Sequence, residues 1–447
     1  MSGRADNRLL SLAWPAMLEM LLYMLVLFVD TLMISPLGPA ALAAAGIANQ
    51  IFSILVLLLS VVATGCNVLV AHASGANLPA EAKQVAEQSL FASFLIAAGV
   101  TAAITLTTPW MMALFQAQAD VQALGAPFLR ILAWSIPFLA LSMTLGAYLR
   151  GKGDMKTPML AAFFTNLFNV AGNLVFIHGV GPIPALGIDG SALATLLARM
   201  AGLALLFLLL YKRHHAIGSS MFRLSQHRPD VYRRLLSIGG PAALQQAGYH
   251  AGQMVMVIII ALIGTTAVAA RQISMSVESL SFLPGFGIGL AITSLVGLHL
   301  GAGSHRRCYE EAASAIRLGV SIMGSIGLAL FLSAEWLVGM FTADQTVFPL
   351  AVLCLKIMAF VQPAKAANMI LDGIFRGAAK TRWSLYVTLA GVWMWGLPLA
   401  YAAGVQMEWG LPAVFVVLAL EEWLRAGANT LYFVKRKWLI AKPTKSG

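Results

Sequence analysis

Long apolar runs follow one another along almost the whole chain, and that pattern decides the solvent in which it folds. A helix needs about 20 mostly apolar residues to cross the hydrocarbon core of a bilayer. Runs of this kind, separated by polar or Gly/Pro breaks, occupy residues 9–34, 43–71, 88–108, 122–148, 158–179, 187–211, 235–261, 268–298, 312–333, 347–373, 382–404 and 411–434. An all-α integral membrane protein with twelve transmembrane helices is predicted. Composition agrees, since 59% of the 447 residues are hydrophobic and only 11% are charged, against roughly 25% charged in soluble domains. Disorder and a secreted disulfide scaffold are excluded. Cys66, Cys308 and Cys354 lie in or beside apolar runs and form no zinc-like spacing. The first run follows Arg4 and Arg8 as a signal peptide would, but it is long and has a twin later in the chain, so it is read as a mature helix.

The net charge of +11 is a topology signal before it is anything else. Of the 29 Lys and Arg residues, 22 fall in the two termini or in the alternate loops 72–87, 149–157, 212–234, 299–311 and 374–382, and the other loops hold none. Basic loops stay on the cytoplasmic side, which puts both termini in the cytoplasm and makes twelve, an even number, the consistent count of spans. No nucleic-acid role is expected. The loop 212–234 carries Lys212, Arg213, Arg223, Arg228, Arg233 and Arg234 against the single acid Asp230, so membrane lipids with anionic headgroups are its expected partners.

Sliding the chain against itself reveals one repeat at a constant offset of 226, which pairs Pro15 with Pro241, Tyr23 with Tyr249, Gly38 with Gly264, Trp110 with Trp336, Pro137 with Pro363, Arg150 with Arg376 and Arg199 with Arg425. Two six-helix bundles follow, at 1–211 and 235–447, joined by the basic linker 212–234. Six is even, so both halves enter the membrane in the same direction and should be related by a pseudo-two-fold axis along the membrane normal, with a cavity expected where they meet.

Ionisable residues inside a membrane are expensive and point to function, and the repeat supplies an internal control. Asp30 has Met256 as its twin; Asn169 and Asn173 have Trp395 and Leu399; Thr195 has Glu421. The first half therefore holds a polar set that the second lacks. At 1.5 Å per residue, Asp30, Asn173, Thr195 and Asn169 lie roughly 6, 9, 12 and 15 Å from the outer helix ends, and Asn169 and Asn173, four apart, share one helix face. A carboxylate, two amides and a hydroxyl make a hard oxygen-donor set for sodium, or for a proton on Asp30. The competing reading makes Asp30 a hydrated residue near the interface and the asparagines interhelical glue. Pro15 lacks a backbone donor and permits a bend of the first helix, so ion binding at Asp30 is expected to repack that helix and lower substrate affinity. Glu278 is the rival proton carrier. Glu421 and Arg425, four apart, suit a structural ion pair. Tyr249 and His250 are candidates for a substrate cavity.

The stretches "LAWPAMLEMLLYMLVLFVDTLMI", "ALAAAGIANQI" and "VESLSFLPGFGIG", with the paired "LRG" and "FRG", resemble the multidrug and toxic compound extrusion (MATE) transporters over the whole chain, the third stretch being more like DinF-type than NorM-type members. The resemblance implies cation-coupled antiport of amphipathic organic cations by a rocker-switch cycle, with protons or sodium as coupling ion. No cofactor and no further metal are implied, and a monomer is expected. Where NorM-type members carry a Glu and an Asp, this chain has Tyr249 and Lys365. Where archaeal members carry an Asn and an Asp in the fifth helix, it has Asn169 and Asn173. The alternative function is a flippase for lipid-linked saccharides from the same superfamily, whose phosphates would require a cationic cavity. An enzyme is not expected: "GAYLRGKG" ends in Gly where a phosphate-binding loop needs Ser or Thr, "GFGIG" sits inside a helix, and the eight histidines form no HExxH pair.

Overall fold

A computed structural model describes residues 2–114, 118–214 and 228–439. Most of the basic linker, including Arg223, lies outside the described residues. The helices are α1 (Ser2–Ile34), α2 (Pro39–Gly75), α3 (Pro79–Leu114), α4 (Ala119–Trp134), α5 (Ile136–Gly151), α6 (Lys156–His178), α7 (Gly187–His214), α8 (Pro229–Ile263), α9 (Thr265–Glu278), α10 (Leu283–Gly301), α11 (His305–Gly339), α12 (Val347–Gly377), α13 (Thr381–Leu389), α14 (Leu397–Tyr401) and α15 (Gly410–Val434). Among the described residues ten helices are long and apolar enough to cross a membrane, and α4 with α5, bent by 41°, makes an eleventh. The twelfth run is α15, whose apolar character is diluted by Glu421, Glu422 and Arg425.

Three predicted runs are interrupted, each for a visible reason. Ser135 separates α4 from α5, and Pro137 follows at the start of α5, where its missing N–H has no helical partner to lose. A 3₁₀ turn over Ser279–Phe282 divides α9 from α10 ahead of Pro284. The eleventh run winds as π-helix at Ala390–Gly396 and Ala402–Gln406, on either side of α14. Gly391 lies in the first of these segments, and a Cβ there would meet the Glu421 carboxylate of α15.

The chain divides into one unit of Leu18–Gly239 and a second of Met1–Met17 with Gly240–Gly447, so the division falls inside the first helix of each half. Within the first unit α2 packs on α3, α4 and α5, and α6 pairs with α7. Its core includes Cys66, Val70, Leu90, Leu149, Leu206 and Leu235. Within the second unit α12 is central, against α9, α10, α11 and α15, around Ile260, Cys354, Leu355, Val414 and Phe415. Two glycines mark where backbones touch. A Cβ on Gly239 would strike the Val61 carbonyl in the first unit, and one on Gly287 would strike Met17 and the Ala13 carbonyl in the second. Ala13 and Gly239 are repeat twins, as are Val61 and Gly287; the same crossing recurs with the glycine on opposite partners.

Candidate functional site

In the first unit Asp30, Asn173, Asn169 and Thr195 are joined in one chain of hydrogen bonds. Asp30 is half-buried near the end of α1. Asn173 Nδ2 donates to Asp30 Oδ1 at 2.6 Å and to Asn169 Oδ1 at 3.3 Å, and Asn169 Nδ2 donates to Thr195 Oγ1 of α7 at 3.0 Å. The i, i+4 spacing on α6 aims both amides at the same place, and both are buried. Asn173 Oδ1, also buried, accepts no hydrogen bond among the described residues. The set therefore offers a carboxylate, a free amide oxygen and a hydroxyl oxygen, with one negative charge. Arg199, one turn beyond Thr195 on α7, lies within electrostatic range of Asp30. Its Nη1 donates to Ser135 Oγ at 2.6 Å and its guanidinium covers the Phe52 ring at 4.5 Å. Asn166 stands apart from this chain and donates to the Leu22 carbonyl of α1 at 2.7 Å. Pro15 is buried within α1, which runs through it without interruption.

The second unit holds a different network. Glu278, 3% exposed, ends α9 and meets Lys365 Nζ of α12 at 2.5 Å and Gln362 Nε2 at 2.7 Å. Ser281 Oγ donates to Gln362 Oε1 at 3.0 Å. The Lys365 ammonium thus sits against the one buried carboxylate that would otherwise take up a proton or a free cation from α9. On α15, Arg425 Nη2 pairs with Glu422 at 2.5 Å and its Nε lies 3.5 Å from Glu421. Asn368 Nδ2 donates to Glu422 Oε2 at 2.8 Å, and Asn429 Nδ2 to Asn368 Oδ1 at 3.1 Å. The Arg425 guanidinium stands 5.8 Å over the Tyr249 ring; His250, beside it, is exposed. Asp30 and Glu278 belong to separate units.

Several of these groups escaped the sequence reading. Gln362 and Lys365 reach Glu278 from 84 and 87 positions away, a distance that helical spacing does not reveal. Glu19, paired with Arg150 of α5 at 3.1 Å, was also missed. The repeat itself could have flagged it, because the twin of Glu19 is the neutral Gln245.

A family model, MatE, matches residues 15–175 and again residues 241–402, the two matches starting one repeat length apart. The chain belongs to the MatE family. Among curated proteins it is similar to the uncharacterized transporter YisQ of Bacillus subtilis, 28% identical over 96% of this chain and 94% of that protein. It is also similar to a probable multidrug resistance protein NorM of Thermotoga maritima, 27% identical over 97% of this chain and 93% of that protein. Among solved structures it is similar to the Vibrio cholerae MATE transporter VcmN in the bent form, 21% identical, covering 98% of each chain with a TM-score of 0.91. That likeness shows the fold, which in MATE structures is twelve transmembrane helices in two bundles.

Proposed function

We propose that this MatE-family chain is a secondary active multidrug efflux antiporter that exports amphipathic organic cations in exchange for protons by alternating access. The hydrogen-bonded chain from Asp30 to Thr195 carries the reading. It gathers a carboxylate, two amides and a hydroxyl on three helices of the first half, where the twin positions of the second half hold Met256, Trp395, Leu399 and Glu421. Such an asymmetric set suits an ion site better than a packing device, which the repeat would be expected to duplicate. Protons are favoured over sodium because a single carboxylate, with the Arg199 guanidinium in electrostatic range, supplies little negative charge to offset the dehydration of sodium. In the second half Lys365 already holds Glu278, so that carboxylate is the secondary candidate for coupling. The flippase alternative is weakened by the same ion pairs, since Lys365 and Arg425 are engaged by buried acids and a phosphate would have to displace them. The chain is read as a monomer in the bacterial inner membrane, with both termini cytoplasmic and each six-helix half acting as one moving body.

Efflux of a cationic dye from proteoliposomes under imposed proton or sodium gradients tests the assignment. Wild-type protein is expected to respond to the proton gradient and Asp30→Asn to lose that response. Undiminished coupled efflux in Asp30→Asn refutes the site, and uncoupling by Glu278→Gln alone moves coupling to the second half.

A further inference from the structure

Glu19 lies one turn beyond Pro15 on α1, and about 16 Å along the helix from Asp30 at 1.5 Å per residue, too far to belong to the ion site. It is buried, and Arg150 Nη1, at the end of α5, meets its two carboxylate oxygens at 3.1 and 3.4 Å. Arg150 Nε is buried too and has no acceptor among the described residues. Gly146, one turn earlier on α5, leaves the space in which the guanidinium lies; a Cβ there would come to 3.2 Å from Nη1.

The repeat shows what is particular about this pair. The twins of Glu19, Gly146 and Arg150 are Gln245, Asp372 and Arg376. In the second half, then, the acid has moved from the first helix to the helix that carries the arginine. Gln245 Nε2 of α8 donates to Asp372 Oδ2 at 2.9 Å and to Thr388 Oγ1 at 3.0 Å, while Arg376, four residues from Asp372, has that carboxylate in electrostatic range. Both halves keep one acid, one arginine and a polar link from the first helix. In the second half the charges sit within α12 and the link is a neutral amide; in the first half the link is itself the ion pair, between α1 and α5. Among the described residues three hydrogen-bonded ties join the part of α1 after Met17 to the rest of the first unit, at Glu19, at the Leu22 carbonyl through Asn166, and at Asp30 through Asn173. Of the three, the Glu19 tie alone joins opposite full charges.

The geometry points to Glu19 as a second functional acid of α1, a positioning residue that acts through Arg150: the pair holds α1 against α5 in this conformation and opens during each transport cycle. The inference rests on the transporter reading above. A helix that bends or repacks when the Asp30 site fills must leave at least one of its ties, and the Glu19 tie is the one that lies a single turn from Pro15, where the missing backbone donor lets α1 bend.

Transplanting the second-half arrangement tests it. Glu19→Gln/Gly146→Asp conserves the net charge and installs a pattern that the fold already accommodates between α8 and α12. The double variant is expected to purify with wild-type thermal stability and to bind a cationic dye within about twofold of wild type. Its maximal rate of gradient-driven efflux should fall by about tenfold or more with KM little changed, and the distance between nitroxides at Met24 and Lys152 should broaden. Wild-type efflux kinetics in this variant would reduce the pair to packing and overturn the proposal. Should the double variant not fold, Glu19→Cys/Arg150→Cys joined by a short reducible cross-linker gives an internal comparison. Efflux should stop when the link is closed and return on reduction only to the lowered rate expected without the ion pair, and equal rates before and after reduction overturn the proposal. If wild-type protein moves no dye under any gradient, the transporter reading fails, and that outcome is distinct from efflux that is indifferent to the pair.

Discussion

Replacing Asn173 by Asp would set a second carboxylate at the place where Asn173 Nδ2 now lies 2.6 Å from Asp30 Oδ1. At that separation and an effective dielectric of about 20, two unit charges repel by about 6 kcal/mol, an upper limit because charge spreads over both carboxylates. Arg199, in electrostatic range of Asp30, offsets part of this. The remainder is relieved by a cation held between the carboxylates or by a shared proton. The amide oxygen of Asn169, 3.3 Å from Asn173 Nδ2, adds a third oxygen ligand, which favours the cation. If a third of the repulsion, about 2 kcal/mol, is recovered as binding, sodium affinity rises about 30-fold over wild type. Thermal unfolding of the purified variant in sodium chloride and in potassium chloride of equal ionic strength measures the effect, since a ligand at a hundred times its Kd stabilises by about 2.7 kcal/mol. Sodium-gradient efflux should appear in parallel. A variant with no sodium-specific stabilisation, behaving as a proton-sharing pair, would refute the view that one missing charge separates this site from a sodium site.

Two further outcomes follow from the second unit. Arg425→Met leaves Glu421 and Glu422 buried without their guanidinium and should lower stability by about 3–5 kcal/mol; adding Glu421→Gln and Glu422→Gln should restore most of the loss, and thermal unfolding in detergent reads both. Ahead of α12, Asp344 Oδ1 accepts hydrogen bonds from the Thr346 hydroxyl at 2.6 Å and from the backbone N–H of Thr346 and Val347 at 2.8 and 3.0 Å, and these hold its carboxyl below the ordinary value of 3.8. A depressed carboxyl stabilises fully above its unfolded value and loses that contribution as pH falls through its folded value. Amide exchange at the start of α12 should therefore show no pH-dependent contribution from titration of this carboxyl near neutral pH, where the cap is fully formed, and speed up only in acid, while Asp344→Ala should speed it up at neutral pH as well.

How much of this was legible follows from the range over which each interaction acts. Spanning helices are written in runs of apolar residues, so their order could be read directly, while their ends could not. The run 88–108 became α3 from Pro79 to Leu114 and the run 312–333 became α11 from His305 to Gly339, because a helix continues into headgroups and water, where hydropathy no longer marks it. The π-segments of the eleventh run are marked by no local pattern, although the first of them brings Gly391 against the Glu421 carboxylate of α15. At the site, the pairing of Asn169 with Asn173 is a matter of helical spacing, and their link to Asp30 followed from comparable depth and from absence in the twin half. Lys365 against Glu278 joins two helices at no repeating interval, so neither depth nor spacing could predict it. Glu19 was hidden for another reason: it lies outside the polar set near the outer helix ends, yet the test that singled out Asp30, an acid whose twin is neutral, applies to it equally.

The same comparison sets out how the two halves divide their chemistry. Leu22 and Gly248 are twins, and in each half the backbone carbonyl at that position receives a side-chain hydrogen bond from the fifth helix: Asn166 Nδ2 at 2.7 Å in the first, Trp393 Nε1 at 3.0 Å in the second. The donors come from neighbouring positions, since the twin of Asn166 is Val392 and that of Trp393 is Leu167. In the first half Asn169 and Asn173 follow Asn166 along the same helix, and Asn173 reaches Asp30. In the second half the Trp393 indole, with Tyr386, Leu389 and Met394, instead lines an open apolar depression beside Gly248, and Lys365 of α12 holds Glu278 of α9 while Arg425 of α15 holds Glu421 and Glu422. The proposed ion site in the first half and the charge-balanced network in the second are thus alternative ways of furnishing one framework, in which the carbonyl of the first helix of each half keeps its link to a neighbouring helix while the charges around it differ.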